Sequence, residues 1–396
     1  MTMSSSFGQT YFIGIFAPQL KHVLGLTDGG FGGFYMGATL ASACVLTWAG
    51  RIADHFRIRG LAVCVLGGLG ATCMAMAGIS SAWLLLPIFF CLRLFGQGFL
   101  GHLSLTGVAR WYAARRGRMI SFAVLGFQVS QATMPIAAVM LNNALGWRNT
   151  WVAAALLLFL VAIPLVLLLM RHEPRHDEKP DAAGAAESLQ RDWTRAEVIR
   201  TPAFFAVLLG TVASSFVSTA VFFNQANLVA EKGWTLAWFT AWFPAYAATS
   251  FVTALLTGWL VDRFDARQLL PLFLLPLAAG VLVLGLVGSP LAVPAFMVLG
   301  AVTNGSGATL LATLWAELFG TRHLGAIRSI AAAAQVLASA LGPGVAGVLL
   351  DLGVRLEHQF IGMALYTLAA CLWLKLLVPQ LDRLGTNLRG VELKEG

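Results

Sequence analysis

The sequence predicts an all-α membrane protein, with twelve transmembrane helices arranged as two pseudo-symmetric six-helix bundles. Three observations carry that expectation. Of 396 residues, 58% are hydrophobic and only 11% charged, whereas soluble domains need about a quarter charged to cover their surface. Apolar runs long enough to cross a bilayer recur along the whole chain. A charged ten-residue pattern also occurs twice, half a chain apart, each time between two such runs.

The spans, numbered here 1 to 12, fall near 4–21, 31–51, 61–80, 83–108, 119–141, 149–170, 203–228, 236–260, 268–288, 291–316, 327–350 and 359–378. A run of about 20 residues makes about 30 Å of helix, one hydrocarbon thickness. Closed β-barrels would instead need strands of about ten residues alternating apolar and polar, a pattern this chain lacks. Span 1 is the shortest: its apolar stretch, residues 7–20, amounts to about 21 Å of helix. No Lys or Arg precedes it, so its true start is expected upstream of Met1. Residues 1–170 are read as the first bundle, 171–201 as a cytoplasmic linker, 202–378 as the second bundle and 379–396 as a cytoplasmic tail. The linker is expected to hold a short amphipathic helix. Thr194 and Glu197 have capping-box spacing, Trp193, Val198 and Ile199 are placed to rest on the membrane surface, and Pro202 suits the first turn of span 7.

Charge sets the expected orientation. Twenty of the 26 Lys and Arg fall in loops of one side, while the opposite loops hold only Lys21, Arg148, Lys232 and Arg355. An excess of positive charge marks the cytoplasmic face. Both termini and the linker are therefore expected in the cytoplasm, in a plasma (bacterial inner) membrane. The net charge of +8 is then a topology signal and argues against a nucleic-acid partner; the bilayer is the partner it implies. All five cysteines lie within apolar runs without paired spacing, which reads as reduced, buried side chains. No glycine-rich phosphate loop with its lysine, no metal-ligand spacing and no nucleophile–base pair is present. Nothing in the chain points to an enzyme, a cofactor, a metal or ATP.

The repeated pattern is Gly-x-Ile/Leu-x-Asp-x-Phe-x-x-Arg: Gly50-Arg51-Ile52-Ala53-Asp54-His55-Phe56-Arg57-Ile58-Arg59, then Gly258-Trp259-Leu260-Val261-Asp262-Arg263-Phe264-Asp265-Ala266-Arg267. Gly50 and Gly258 lack a Cβ and are read as points of close helix approach. Asp54 and Asp262 end spans 2 and 8. There they are placed to pair with arginines (Arg110 for Asp54) or to accept from a helix N-terminus.

Arg93 lies about ten residues, or about 15 Å, into span 4, near the bilayer midplane. A guanidinium at that depth costs at least about 2.5–3.5 kcal/mol and requires partners. None of the 18 acidic residues falls deep in a span. A carboxylate substrate would supply the missing partner in a bidentate geometry; carbonyls and glutamines would instead make Arg93 a structural or gating element. Both readings stay open. Gln97 and Ser104 share its helical face by 3.6-residue periodicity, as Ser214, Ser218 and Gln225 share one in span 7, with Asn224 adjacent. Gln128 and Gln131 in span 5 and Gln335 in span 11 add to this polar set, either as interhelical hydrogen bonds or as walls of a polar cavity. Trp238, Trp242, Phe243 and Tyr246 are expected mainly as interfacial anchors. His102, inside span 4, is read as a structural histidine or a proton carrier.

With these residues in view, the chain resembles the major facilitator superfamily: twelve spans, a six-plus-six split, and the charged loop between spans 2 and 3 echoed between spans 8 and 9. It departs from the family's loop where a second glycine is usual, at Arg57 and Asp265. Arg110-Trp111-Tyr112-Ala113-Ala114-Arg115-Arg116-Gly117, Gly342-Pro343-Gly344 with Gly347 and Asp351, and Gly146-Trp147-Arg148 resemble segments of the monocarboxylate and oxalate–formate branches. The resemblance implies alternating access, with spans 1, 4, 7 and 10 around the substrate. That adds Gln9, Tyr11, Thr303 and Asn304 to the substrate-contact set of Arg93, Gln97, Gln128, Asn224, Gln225 and Gln335. It also implies a cytoplasmic latch of Gly50, Asp54, Arg59, Arg110, Gly258, Asp262 and Arg267. The expected function is secondary active or facilitative transport of small organic anions, monocarboxylates foremost, with a proton or counter-anion as the coupling species. Two rivals stand beside it: an exporter of neutral or cationic amphiphiles, and a non-transporting receptor or assembly protein on a carrier scaffold.

Overall fold

Hydrocarbon offers backbone amides no partner, so an apolar run of this length must satisfy its own N–H and C=O groups. Accordingly, in the computed structural model, which describes residues 1–49, 56–111, 116–171, 193–320 and 323–390, all regular structure is helical. Ten of the described helices are long and apolar enough to cross a membrane. Spans 1, 7 and 9 occupy their expected places but are broken. Span 1 runs as Met3–Gly8, an extended Gln9 (ψ 148°), then Thr10–Ile13, Gly14–Phe16 and Ala17–Leu24. Span 9 runs as Ala266–Leu269 and Leu275–Leu286. Pro271 and Pro276 remove amide donors there and account for the break. Span 12 exceeds its expected end: one helix covers Leu356–Gly390, through Pro379.

By contact the chain forms two compact units. Unit 1 comprises residues 1–181, 219–244 and 340–354, and unit 2 comprises 182–218, 245–339 and 355–396. In unit 1, Phe12 and Phe16 pack on the fully buried Trp151 with ring centroids 5.3 and 5.1 Å away. A second aromatic group joins Phe31 and Tyr35 to Phe223 at 5.2 and 4.5 Å. In unit 2, Phe204 and Trp315 lie 5.1 Å apart and Trp315 stacks on Phe319 at 6.1 Å.

Helix crossings close on glycine, as expected where hydrocarbon supplies no driving force and packing must. In unit 1 a Cβ at Gly8 would stand 2.8 Å from the Gln97 amide nitrogen and 2.9 Å from the Gly96 Cα. In unit 2 a Cβ at Gly305 would stand 2.9 Å from the Ser250 carbonyl carbon. Gly258 is not such a crossing: a Cβ there would meet nothing within 4 Å, which corrects the close-approach reason given for it. Gly146 turns the chain into span 6 at φ +80°, a conformation that glycine alone adopts freely. Arg148 then donates to the carbonyls of Ala77 and Ile79, at 2.6 and 3.2 Å, satisfying the open end of the Ile58–Ala77 helix.

The capping box at Thr194 forms. The Thr194 amide donates to Glu197 Oε2 at 2.7 Å and the Glu197 amide to Thr194 Oγ1 at 3.4 Å, opening the helix Arg195–Ile199. One face of that helix docks in the protein. Val198 is fully buried in the unit 2 core, and the Trp193 ring packs on Phe319 at 5.7 Å. Of the three apolar residues assigned to the membrane surface, only Ile199 is exposed.

Candidate functional site

Span 4 carries Arg93 on an unusual winding. Leu85–Cys91 is α-helical, Leu92–Leu100 is π-helical and Gly101–Trp111 is α-helical again. The wider π turn shifts the register, so the 3.6-residue spacing that placed Gln97 beside Arg93 does not apply across this segment. Such π segments recur at functional positions because they displace one side chain from the regular face.

Arg93 is only 3% exposed. Its Nη1 donates to the Gly8 carbonyl at 3.2 Å and to Thr10 Oγ1 at 3.4 Å, and the guanidinium lies 5.2 Å from the Tyr35 ring centroid. The Gly8 carbonyl is open because the extended Gln9 interrupts the helix: the amide of Phe12 bonds to Gln9 instead. Thr10 is held in turn by the Tyr35 hydroxyl at 2.5 Å. Arg93 Nε has no hydrogen-bond partner, and among the described residues no carboxylate pairs with this arginine. A carbonyl, a hydroxyl and an aromatic face orient the cation without neutralising it.

Span 7 is interrupted as span 1 is. Its helix Pro202–Phe223 stops at Asn224 (φ −92°, ψ 14°) and resumes as Gln225–Lys232. The counterpart of Asn224 in span 1 is Phe16 (φ −95°, ψ 2°) rather than Gln9, since each precedes an eight-residue helix closed by a left-handed glycine, Gly25 and Gly233. Helices broken at matching places in the two halves point to a carrier's binding site. Gln225, fully buried, donates through Nε2 to the Tyr11 carbonyl at 2.6 Å, leaving its Oε1 without a partner. Tyr11 bonds to Ser6 at 2.8 Å, Ser6 meets Ser130 of span 5, and the Tyr11 ring rests on Phe243 at 5.6 Å. Phe243 is thus buried packing and not an interfacial anchor. The break of span 1 is therefore a hub, with Arg93 anchored at residues 8 and 10 and Gln225 at residue 11, points at most about 10–11 Å apart along the chain. Gln97 and Gln128, half-buried in the same unit, each leave a buried amide oxygen unpaired.

Unit 1 thus brings together Gln9, Tyr11, Arg93, Gln97, Asn224 and Gln225. Asn304 and Gln335 lie in unit 2, where Asn304 donates to Ser250 at 2.8 Å, and Gln335 accepts from Ser215 and donates to the Thr211 carbonyl at 3.4 Å. Thr303 bridges the break of span 9, donating to the Phe273 carbonyl at 2.9 Å and accepting from the Leu277 amide at 3.1 Å. Ser104 and Ser214 bond within their own helices, and His102 is exposed. The sequence reading missed Thr10 and Tyr35. Tyr35 was the only tyrosine of span 2, a signal that pattern reading alone had no reason to select.

Of the latch residues, Gly50, Asp54 and the side chain of Arg110 lie outside the described part. Asp262 is exposed at the end of Phe243–Arg263. Arg59 donates to the Leu167 carbonyl at 3.2 Å, at the end of span 6. Arg267 is buried in unit 2, 3.9 Å from Glu317 and 3.5 Å from Asp382, with the Leu381 carbonyl accepting at 3.4 Å. It ties spans 9, 10 and 12 together inside one unit. Arg267→Met should lower stability by about 1–2 kcal/mol, discounted for the partial exposure of both acids, read as an earlier thermal midpoint that Arg267→Lys only partly restores.

The frame is all-helical and polytopic, with a buried arginine set at the Gln9 break of span 1. A family model described as the Major Facilitator Superfamily matches residues 1–343 and 207–392, and the chain belongs to that superfamily. It is accordingly a multi-pass transporter of small molecules and not an enzyme. Among solved structures it is similar to a bacterial homolog of the human lysosomal transporter Spinster, in an inward-facing and occupied conformation. That match has a TM-score of 0.73 at 15% identity, covering 98% of this chain and 95% of the other. It is also similar to a point variant of the nucleoside transporter NupG, with a TM-score of 0.70 at 9% identity, covering 95% of this chain and 97% of that one. No curated protein matches the chain in sequence.

Proposed function

We propose that this transporter moves small organic anions, monocarboxylates foremost, by alternating access of its two six-helix halves, with a proton or a counter-anion as the coupling species. Arg93 carries the reading. It is a permanent cation in the membrane interior, held by neutral groups at the break of span 1, with one donor unmet. A carboxylate entering there would neutralise it through two parallel, charge-assisted hydrogen bonds. The segments resembling the monocarboxylate and oxalate–formate branches support the same class.

The test is thermal stabilisation of the detergent-purified protein by monocarboxylates, dicarboxylates, sugars and cationic amphiphiles. A ligand that binds only the folded state adds about 2.7 kcal/mol at a hundredfold excess over its dissociation constant. The midpoint is expected to rise with monocarboxylates and to stay unchanged with sugars and cations. A rise confined to cationic or neutral compounds would replace the anion reading with export of amphiphiles.

A further inference from the structure

We propose that the side of the protein opposite the arginine-rich loops is held shut by a polar latch keyed by Asp351, and that this latch roofs Arg93. Every contact concerned lies within unit 1. Span 2 opens with the helix Asp28–Ala49, whose first amides have no acceptor in their own helix. Two of them, on Asp28 and Gly29, donate to the Asp351 carboxylate at 3.1 and 3.0 Å. Asp351 is the last residue of span 11, in the helix Leu324–Asp351. A carboxylate at a helix N-terminus gains both from charge-assisted bonds and from the helix dipole.

Three further residues complete the network. Lys21, at the end of span 1, pairs with Asp28 at 2.5 Å and donates to Asn227 of span 7 at 2.9 Å. Asn227 in turn donates to Asp28 at 2.6 Å. Spans 1, 2, 7 and 11 therefore meet in one set of polar contacts. The backbones of spans 2 and 11 approach through glycine, since a Cβ at Gly32 would stand 3.1 Å from the Pro343 carbonyl carbon and one at Gly347 2.8 Å from that of Asp28. Gly32 on span 2 with Gly344 and Gly347 on span 11 are what allow the two so close.

The latch reaches Arg93 through span 2. Asp28, Phe31 and Tyr35 fall at i, i+3 and i+7, on one helical face. Phe31 and Tyr35 pack on Phe223 of span 7, while Tyr35 covers the Arg93 guanidinium and holds Thr10. Releasing Asp351 from the head of span 2 frees that helix to carry Tyr35 off Arg93. Closure over the arginine and closure of the latch are one movement. No residue of the latch belongs to the repeated charged hairpin.

The test uses the full-length chain in membranes and needs no substrate. A Cβ at Gly344 would lie 3.4 Å from Met36 Cβ, close to disulfide spacing of about 3.5–4.5 Å. The Met36→Cys/Gly344→Cys pair is oxidised with copper phenanthroline, and the bond between positions 36 and 344 is followed by peptide mass mapping. It is expected to form readily in the otherwise unchanged protein. Asp351→Asn and, separately, Lys21→Gln should each slow it by about tenfold, the loss of one charge-assisted contact. Two variants on opposite sides of the network keep the test valid if one fails to fold, with monodispersity checked for both. Absence of the bond in the parent pair, or unchanged rates in the folded variants, would overturn the latch.

Discussion

Arg93→Gln is expected to abolish stabilisation by carboxylates and to cut anion uptake by about ten- to a hundredfold, while leaving the ligand-free protein at least as stable as before. The magnitude follows from charge-assisted hydrogen bonds of about 1.5–3 kcal/mol, lost from the bound state alone. The sign on ligand-free stability follows from the partners Arg93 now has: the Gly8 carbonyl, the Thr10 hydroxyl, the Tyr35 face and an unmet Nε. Removing an unneutralised buried charge relieves its desolvation penalty, and glutamine keeps a donor for Gly8. Arg93→Lys should fall between, since it restores the charge without the planar fork. Thermal scans with and without carboxylate, beside uptake into proteoliposomes, read both halves. A variant that loses ligand-free stability yet keeps the carboxylate shift would make Arg93 part of the scaffold.

Gly8→Ala and Gly305→Ala should each destabilise the protein by about 3 kcal/mol or more, well beyond the usual effect of one methyl group. At both sites the atoms a Cβ would strike belong to backbone: Gln97 N at 2.8 Å and Gly96 Cα at 2.9 Å for Gly8, and Ser250 C at 2.9 Å and Ala254 N at 3.1 Å for Gly305. No rotamer change can relieve such a clash, so whole helices must part. Gly67→Ala is the control. A Cβ there meets nothing within 4 Å, inside the helix Ile58–Ala77, and alanine should stabilise by up to about 1 kcal/mol through helix propensity. Thermal midpoints of the three purified variants give the comparison. The Gly8 variant should additionally lose carboxylate stabilisation, because moving residue 8 withdraws the carbonyl that orients Arg93.

Much of the frame could be read from the chain, and so could the most consequential side chain. Span positions follow from local apolar length, the Thr194 cap from two residues three apart, and Arg93 from the cost of a cation among leucines. The residues proposed for substrate contact stood out for the same reason: a polar residue in a span invites a question wherever it stands. The breaks that unite those residues were not. Gln9 is neither proline nor glycine, and it interrupts span 1 where Arg93 takes up the released Gly8 carbonyl. Asn224, whose amide and carbonyl still bond to Ala220 and Leu228, bends span 7 without freeing them. The π winding of Leu92–Leu100 likewise defeated a face drawn at 3.6 residues per turn. Val198 was assigned to lipid by its amphipathic spacing, yet it fills the unit 2 core.

By itself, then, the sequence determined that this chain crosses a membrane many times, that its positive charge sorts to one side, and that one arginine sits where only a partner justifies it. Hydrocarbon penalises each polar group where it stands, so these properties are sums over neighbouring residues. Only the tertiary structure decided which groups meet. Asp351 closes on the head of span 2 from more than 300 residues away, Tyr35 settles over Arg93, and Gln225 reaches the Tyr11 carbonyl. Those pairings depend on helix crossings set by packing between distant segments, where a missing Cβ or one extra residue in a turn decides the partner.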